Sequence, residues 1–173
     1  MANFTQRIIG AAKLDTAIYE EVESDNTALG QALAVVVLSA VAAGVGLASV
    51  TNFATGLVTG IIATLIGWLL WAWLTYFIGT RLLPAPETHA DWGQLLRTTG
   101  FAASPGILRV LGVVPGLTRV VFLIAGVWML VAFVIAVRQA LDYTSTWRAI
   151  GVCFIGWLAY NALLITLALL LGR

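Results

Sequence analysis

The stretch DWGQLLRTTGFAASPGILRVLGVVPG, Asp91 to Gly116, decides how the chain is read. It is apolar enough to enter lipid, yet it carries two arginines, two prolines and five glycines. Inside a bilayer every backbone polar group has to be satisfied by the protein itself. A broken apolar segment therefore belongs in the interior or at the rim of a helical bundle, where neighbours supply partners. With Trp92 at the interface, a helix from Asp91 to Leu111 brings Ser104, Pro105 and Gly106 near mid-depth and leaves Gly112 to Gly116 as a tight turn. Pro105 lacks an N–H and frees the carbonyl of Phe101, which predicts a kink. Arg97 and Arg109 are 12 residues apart, about 18 Å along a helix against a hydrocarbon thickness of roughly 30 Å. Two readings follow. Either both arginines snorkel from the ends of a short tilted span, or Arg109 and the backbone near Pro105 form a polar intramembrane site for an anionic lipid headgroup or a partner's carboxylate.

Four cleaner apolar runs surround this segment. The chain is 61% hydrophobic and 10% charged, against roughly 45–50% and about 25% in a soluble domain, so the expected class is an all-α membrane bundle. Leu29–Val50 is the first span, with Ala40, Gly44 and Ala48 on one stripe that lets another helix approach closely. The uncharged connection Thr51–Thr55 predicts a tight hairpin to the second span, Leu57–Ile78. Trp73 and Tyr76 read as an interfacial aromatic belt. Trp68 and Trp71 lie deeper and pack on neighbours or on a bound lipid or pigment. Thr118–Val137 and Ala149–Leu171 are the remaining clean spans, and Trp128, near the centre of the former, is expected inside the bundle. With Asp91–Leu111 the bundle has five spans and forms one domain, residues 29–173.

Residues 1–28 are the most polar part. Phe4, Ile8, Ala11, Leu14 and Ile18 recur at helical spacing, which predicts a short amphipathic helix, on the membrane surface or packed on the protein's own loops. Its charges precede any long apolar run, so it is not read as a cleaved leader. The acids Glu20 to Asp25 read as a solvated turn rather than a metal site. Between spans two and three, Pro84 and Pro86 interrupt any helix. Glu87, His89 and Asp91 alternate there without a fourth ligand, and read as hydrated surface rather than a cation site. Asp142 is placed to pair with Arg138, and Ser145 to cap the last helix. Cys153, the single cysteine, reads as a buried thiol.

Basic residues orient the chain. Five spans with the amino terminus inside put Arg7, Lys13, Arg81, Arg97, Arg138 and Arg148 on the cytoplasmic side, against Arg109, Arg119 and Arg173 outside. Four spans leave only Arg138 and Arg148 outside, so charge slightly prefers four. The length of Asp91–Leu111 favours five, which is the expectation adopted.

The polar amino-terminal segment, the five apolar runs, Phe101 to Pro105 (FAASP), the Val114, Pro115, Gly116 turn, Trp128, and Ser145 to Ala149 (STWRA) together resemble a bacterial Yip1-family protein. The resemblance implies a five-span bundle in the bacterial cytoplasmic membrane with a cytosolic amino terminus. Eukaryotic relatives act in membrane traffic and bind small GTPases through a longer cytosolic region. Here that region is short and lacks the family's acidic Asp-Leu, Gly-Pro signature.

No catalytic constellation is legible, with one histidine and no acid inside the clean spans. The chain is therefore expected to be a non-enzymatic scaffold, lipid-organising factor or accessory subunit of a membrane complex. It has no cofactor beyond a bound lipid or pigment. Its partners are membrane lipids and a membrane protein or a second copy, with no role for nucleic acid. The alternative is a small transporter or channel lined by the kinked third helix. Arg97, Arg109, Pro105, Trp68 and Trp71 are the candidate lipid or partner contacts.

Overall fold

The computed structural model describes residues 2–47, 53–86 and 88–171. Helices α1 (Phe4–Ala12) and α2 (Thr16–Ser24) form an amino-terminal hairpin, and a 3₁₀ turn leads into α3 (Leu29–Gly46). Helix α4 (Phe53–Phe77) ends in a π turn (Ile78–Leu82). A short helix α5 (Trp92–Phe101) is followed by a 3₁₀ segment (Ser104–Val113), and α6 (Thr118–Ala140) and α7 (Thr146–Leu171) complete the chain. Among the described residues four helices are long and apolar enough to cross a membrane: Asn26–Gly46, Gly60–Leu82, Thr118–Ala140 and Thr146–Thr166. Their outward side chains are apolar, as with Ile62, Ile66, Leu123, Val127 and Ile165, each more than half exposed. Water does not tolerate so continuous an apolar girdle, and lipid does. The fold is an all-helical membrane bundle.

The four clean runs become helices close to their expected bounds. The end of the first, residues 48–50, and the start of the following connection lie outside the described residues, as does Glu87. The third expected span is corrected: Asp91–Leu111 is not one kinked helix. Asp91 and Gln94 close a reciprocal capping box at the start of α5, but α geometry stops at Phe101. The proline ring at 105 collides with the carbonyl four residues back and offers it no N–H. Ser104 Oγ donates to that Phe101 carbonyl at 2.5 Å instead, and the chain continues as 3₁₀ helix with Pro105 in its first turn.

The broken segment lies along α3 and runs in the same direction. A Cβ added at Gly100 would meet Ala32, one at Gly106 would meet Ser39, and one at Gly112 would meet the backbone of Gly46. The partners on α3 are seven residues apart and those on the broken segment six. Two α turns take about seven residues and two 3₁₀ turns six, so glycine and small residues meet at every second turn of each. Backbones can approach this closely only where no side chain intervenes.

The contacts sort into two ends of the bundle. At the first, Tyr143 Oη donates to the carbonyls of Gly79 at 3.0 Å and Leu83 at 2.6 Å. Arg148 Nη1 donates to the Pro84 carbonyl at 3.3 Å, and Gln139 Nε2 donates to Glu20 Oε1. At the opposite end Thr118 Oγ1 donates to the Gly112 carbonyl at 2.7 Å, and Phe122 lies against Gly46 and Gly112.

The amino-terminal hairpin packs on the bundle. Tyr19 and Val22 share a buried cluster with Ala32, Val35, Phe101 and Ala136, and Phe4, Ile8, Leu14 and Ile18 pack against it. The acids from Glu20 to Asp25 are not a solvated turn. They belong to α2 and its cap, and Glu21 and Asp25 both receive Arg7. Two helix ends close with non-glycine residues in the left-handed region, Leu14 at φ 64° and Asp142 at φ 52°. In both, bonds five and three residues back complete the turn, Asp15 N to Gly10 O and Leu14 N to Ala11 O in the first. Asp142 is thereby committed to the turn, and Arg138 donates to Tyr143 O, Thr146 Oγ1 and Thr144 O.

Candidate functional site: a cavity beside the broken segment

The two arginines of the broken segment have different surroundings. Arg97 is buried. Its Nε donates to the carbonyls of Val22 and Glu23, both at 3.1 Å, and its Nη2 donates to Glu23 O. These carbonyls belong to the last turn of α2, where no intrahelical donor remains and a cation is favoured by the helix dipole. Arg97 is a cap joining α5 to α2 and does not snorkel.

Arg7 is the corresponding tie on the other side of the hairpin. Its Nη2 pairs with Glu21 Oε1 at 2.8 Å and Asp25 Oδ2 at 2.7 Å, and its Nη1 donates to Gln31 Oε1 at 2.9 Å. One guanidinium joins α1, α2 and α3. Thr27 and Arg7 together hold the Asp25 carboxyl down at about 2. Sequence reading missed Arg7 because its partners lie 14 to 24 residues away. The only local trace was Glu21 and Asp25 one turn apart, a spacing that also suits two solvated acids.

Arg109 sits at the opposite end, with its guanidinium 5.5 Å from the Phe122 ring centroid. Its Nε is buried without a hydrogen-bond partner. It borders a cavity of about 560 Å³ between α3, α4, the broken segment and α6, within the range of small-molecule sites. Val36 and Ala40 of α3, Trp68 and Trp71 of α4, and Met129 and Phe133 of α6 give it a mainly apolar wall. Thr64 of α4 and Leu130 of α6 also line it and are exposed at the bundle surface. The cavity therefore communicates with the apolar exterior.

Both deep tryptophans line this cavity, but differently. Trp68 Nε1 donates to Thr99 Oγ1 at 3.1 Å, tying α4 to α5. The ring of Trp71 stands edge-on to Phe133 at 5.4 Å and to Tyr160 at 5.6 Å, and its Nε1 is buried without an acceptor. Pro105 is buried beside α3 and acts by ending α5, not as a contact in the cavity lining. Trp128 departs from expectation: it is about a third exposed and donates to the Ala12 carbonyl at 2.7 Å, holding the end of α1. The structure thus brings together Arg109, Trp68 and Trp71 and sends Arg97 to the amino-terminal hairpin. Thr99, Met129 and Phe133 were not read from sequence. They carry no signal there, being ordinary residues of apolar or helical runs.

Comparison with known proteins gives one match: the family model of the Yip1 domain covers residues 16–169. No curated protein and no solved structure matches the chain.

Proposed function

The chain belongs to the Yip1 domain family, and from that premise we propose that it is a non-catalytic, five-crossing membrane protein that organises lipid or serves as an accessory subunit of a membrane complex. The observation that carries this reading is the cavity beside the broken segment. It is walled by apolar side chains, reaches the exposed surface at Thr64 and Leu130, and so suits a molecule that arrives from the membrane.

A fifth crossing is supported by the course of Gly100 to Gly112 along α3 from Ala32 to Gly46, a rise of about 21 Å for 14 α-helical residues. It is supported too by the ends of α4 and α6, which meet at Gly79 and Tyr143, while α6 starts against Gly112. The segment between α4 and α6 has to carry the chain from one end of the bundle to the other. The excess of basic residues at the end holding α1 and α2 supports a cytoplasmic location for that end.

Gentle detergent extraction followed by native mass measurement tests the reading. The expected particle retains lipid, a partner or a second copy. A strictly monomeric particle without lipid overturns it.

A further inference from the structure

We propose that the cavity beside the broken segment holds an amphiphile with an anionic head and an acyl chain, with Arg109 as the counter-ion of the head. The inference rests on the lipid-organising reading above and gives it a ligand class. Its basis is an imbalance of hydrogen-bonding groups. Arginine and tryptophan side chains donate and cannot accept. Arg109 Nε and Trp71 Nε1 line one cavity and are both buried without an acceptor. The two buried arginines, Arg7 and Arg97, are by contrast held by carboxylates or backbone carbonyls. A buried guanidinium N–H left unpaired against an apolar wall is costly, and the cost is removed by an acceptor carrying negative charge.

The shape selects a chain-bearing ligand. Arg109 lies beside Gly46, at the carboxyl end of α3, whereas the lining on α3 runs back from Ala43 to Val36, a rise of about 10 Å. A head at Arg109 therefore leaves its chain against Ala40, Trp68, Met129 and Phe133, toward the bundle's middle. The ring of Phe122 under the guanidinium fixes the cation without satisfying its N–H groups.

The test uses the full chain in detergent and native mass measurement with phosphatidylglycerol, phosphatidylcholine, oleate and inorganic phosphate as probes. Phosphatidylglycerol or oleate is expected to be retained about tenfold better than phosphatidylcholine, and the better of the two tells a phosphodiester lipid from a free fatty acid. Inorganic phosphate, lacking a chain, is expected not to be retained. Arg109→Gln should abolish the preference for an anionic head. Gly126→Leu gives an independent arm, because Gly126 lines the cavity and a Cβ there meets nothing within 4 Å. The larger side chain should fill the space, expel the chain and leave the lipid-free thermal midpoint intact.

Four results overturn the site: equal retention of charged and zwitterionic probes, an unchanged preference in Arg109→Gln, unchanged retention in Gly126→Leu, or a protein carboxylate found in place of lipid. Lipid retained without regard to head charge overturns this site and leaves the broader reading standing, whereas a bare monomer removes the broader reading itself.

Discussion

Glu23 shows what burial does to a single residue in this fold. Its side chain is buried between the amino-terminal hairpin and the bundle, and Oε2 has no hydrogen-bond partner. Burial first, then the neighbouring acids Glu20, Asp142 and Asp91, push the carboxyl from 4.5 up to about 7, against the opposing pull of Arg97. An acid whose folded value is raised binds its proton more tightly in the folded state. Its contribution to stability is complete below about 4.5 and is lost as pH rises through about 7. The hairpin should therefore be held more firmly at pH 5 than at pH 8. Glu23→Gln should flatten that dependence, read as the thermal midpoint in detergent across the same range. A wild-type midpoint that rises from pH 5 to pH 8, with the variant following it, would contradict the assignment. The Arg97 guanidinium, which meets the backbone carbonyl of Glu23, is a cap on α2 whatever the state of that carboxyl.

At the scale of the element, the seam between α3 and the broken segment explains why two helices of different pitch can pack along their length. Gly106 faces Ser39 and Gly46 faces the backbone carbonyl of Arg109, each so closely that an added Cβ has no room. Gly60, in contrast, meets nothing within 4 Å. Gly46→Ala should destabilise the protein by about 1–3 kcal/mol or prevent folding, because backbone and not a flexible side chain would have to yield. Gly60→Ala should be neutral or stabilising by up to about 1 kcal/mol, since alanine is the better helix former. Equal thermal midpoints for the two variants would mean that the seam is not tight. Of the small-residue stripe read from sequence, Gly44 meets Leu57 of α4, and Ala48 lies outside the described residues.

For the whole molecule, the consequence of that seam is topological. On the five-crossing reading proposed above, the segment from Gly100 to Gly112 crosses the membrane beside α3. Single cysteines at Thr144 and Val114, in a Cys153→Ser background, should then react with an impermeant maleimide from opposite sides of sealed vesicles. The residue at 144 should share the side of the amino terminus. Labelling of both from one side would reduce the count to four. The same arrangement separates the two arginines by role, with Arg97 at the end that holds the hairpin and Arg109 at the other, within reach of the cavity.

The sequence by itself determined the class of molecule. Long uncharged runs such as Leu57–Ile78 are long and apolar enough to span lipid, and Pro105 marked a disturbance of the helix, read as a kink where the structure ends α5 at Phe101. Both are properties of local composition and backbone chemistry. The six-residue spacing of Gly100, Gly106 and Gly112 was not read from the sequence, because it has meaning only beside a helix offering small residues every seventh position. Tertiary structure alone decided that Arg97 closes α2, that Arg7 joins three helices and that Arg109 is left without an acceptor beside a cavity. Each depends on which distant carbonyls and carboxylates come within about 3 Å, a matter of packing between elements that no local spacing encodes.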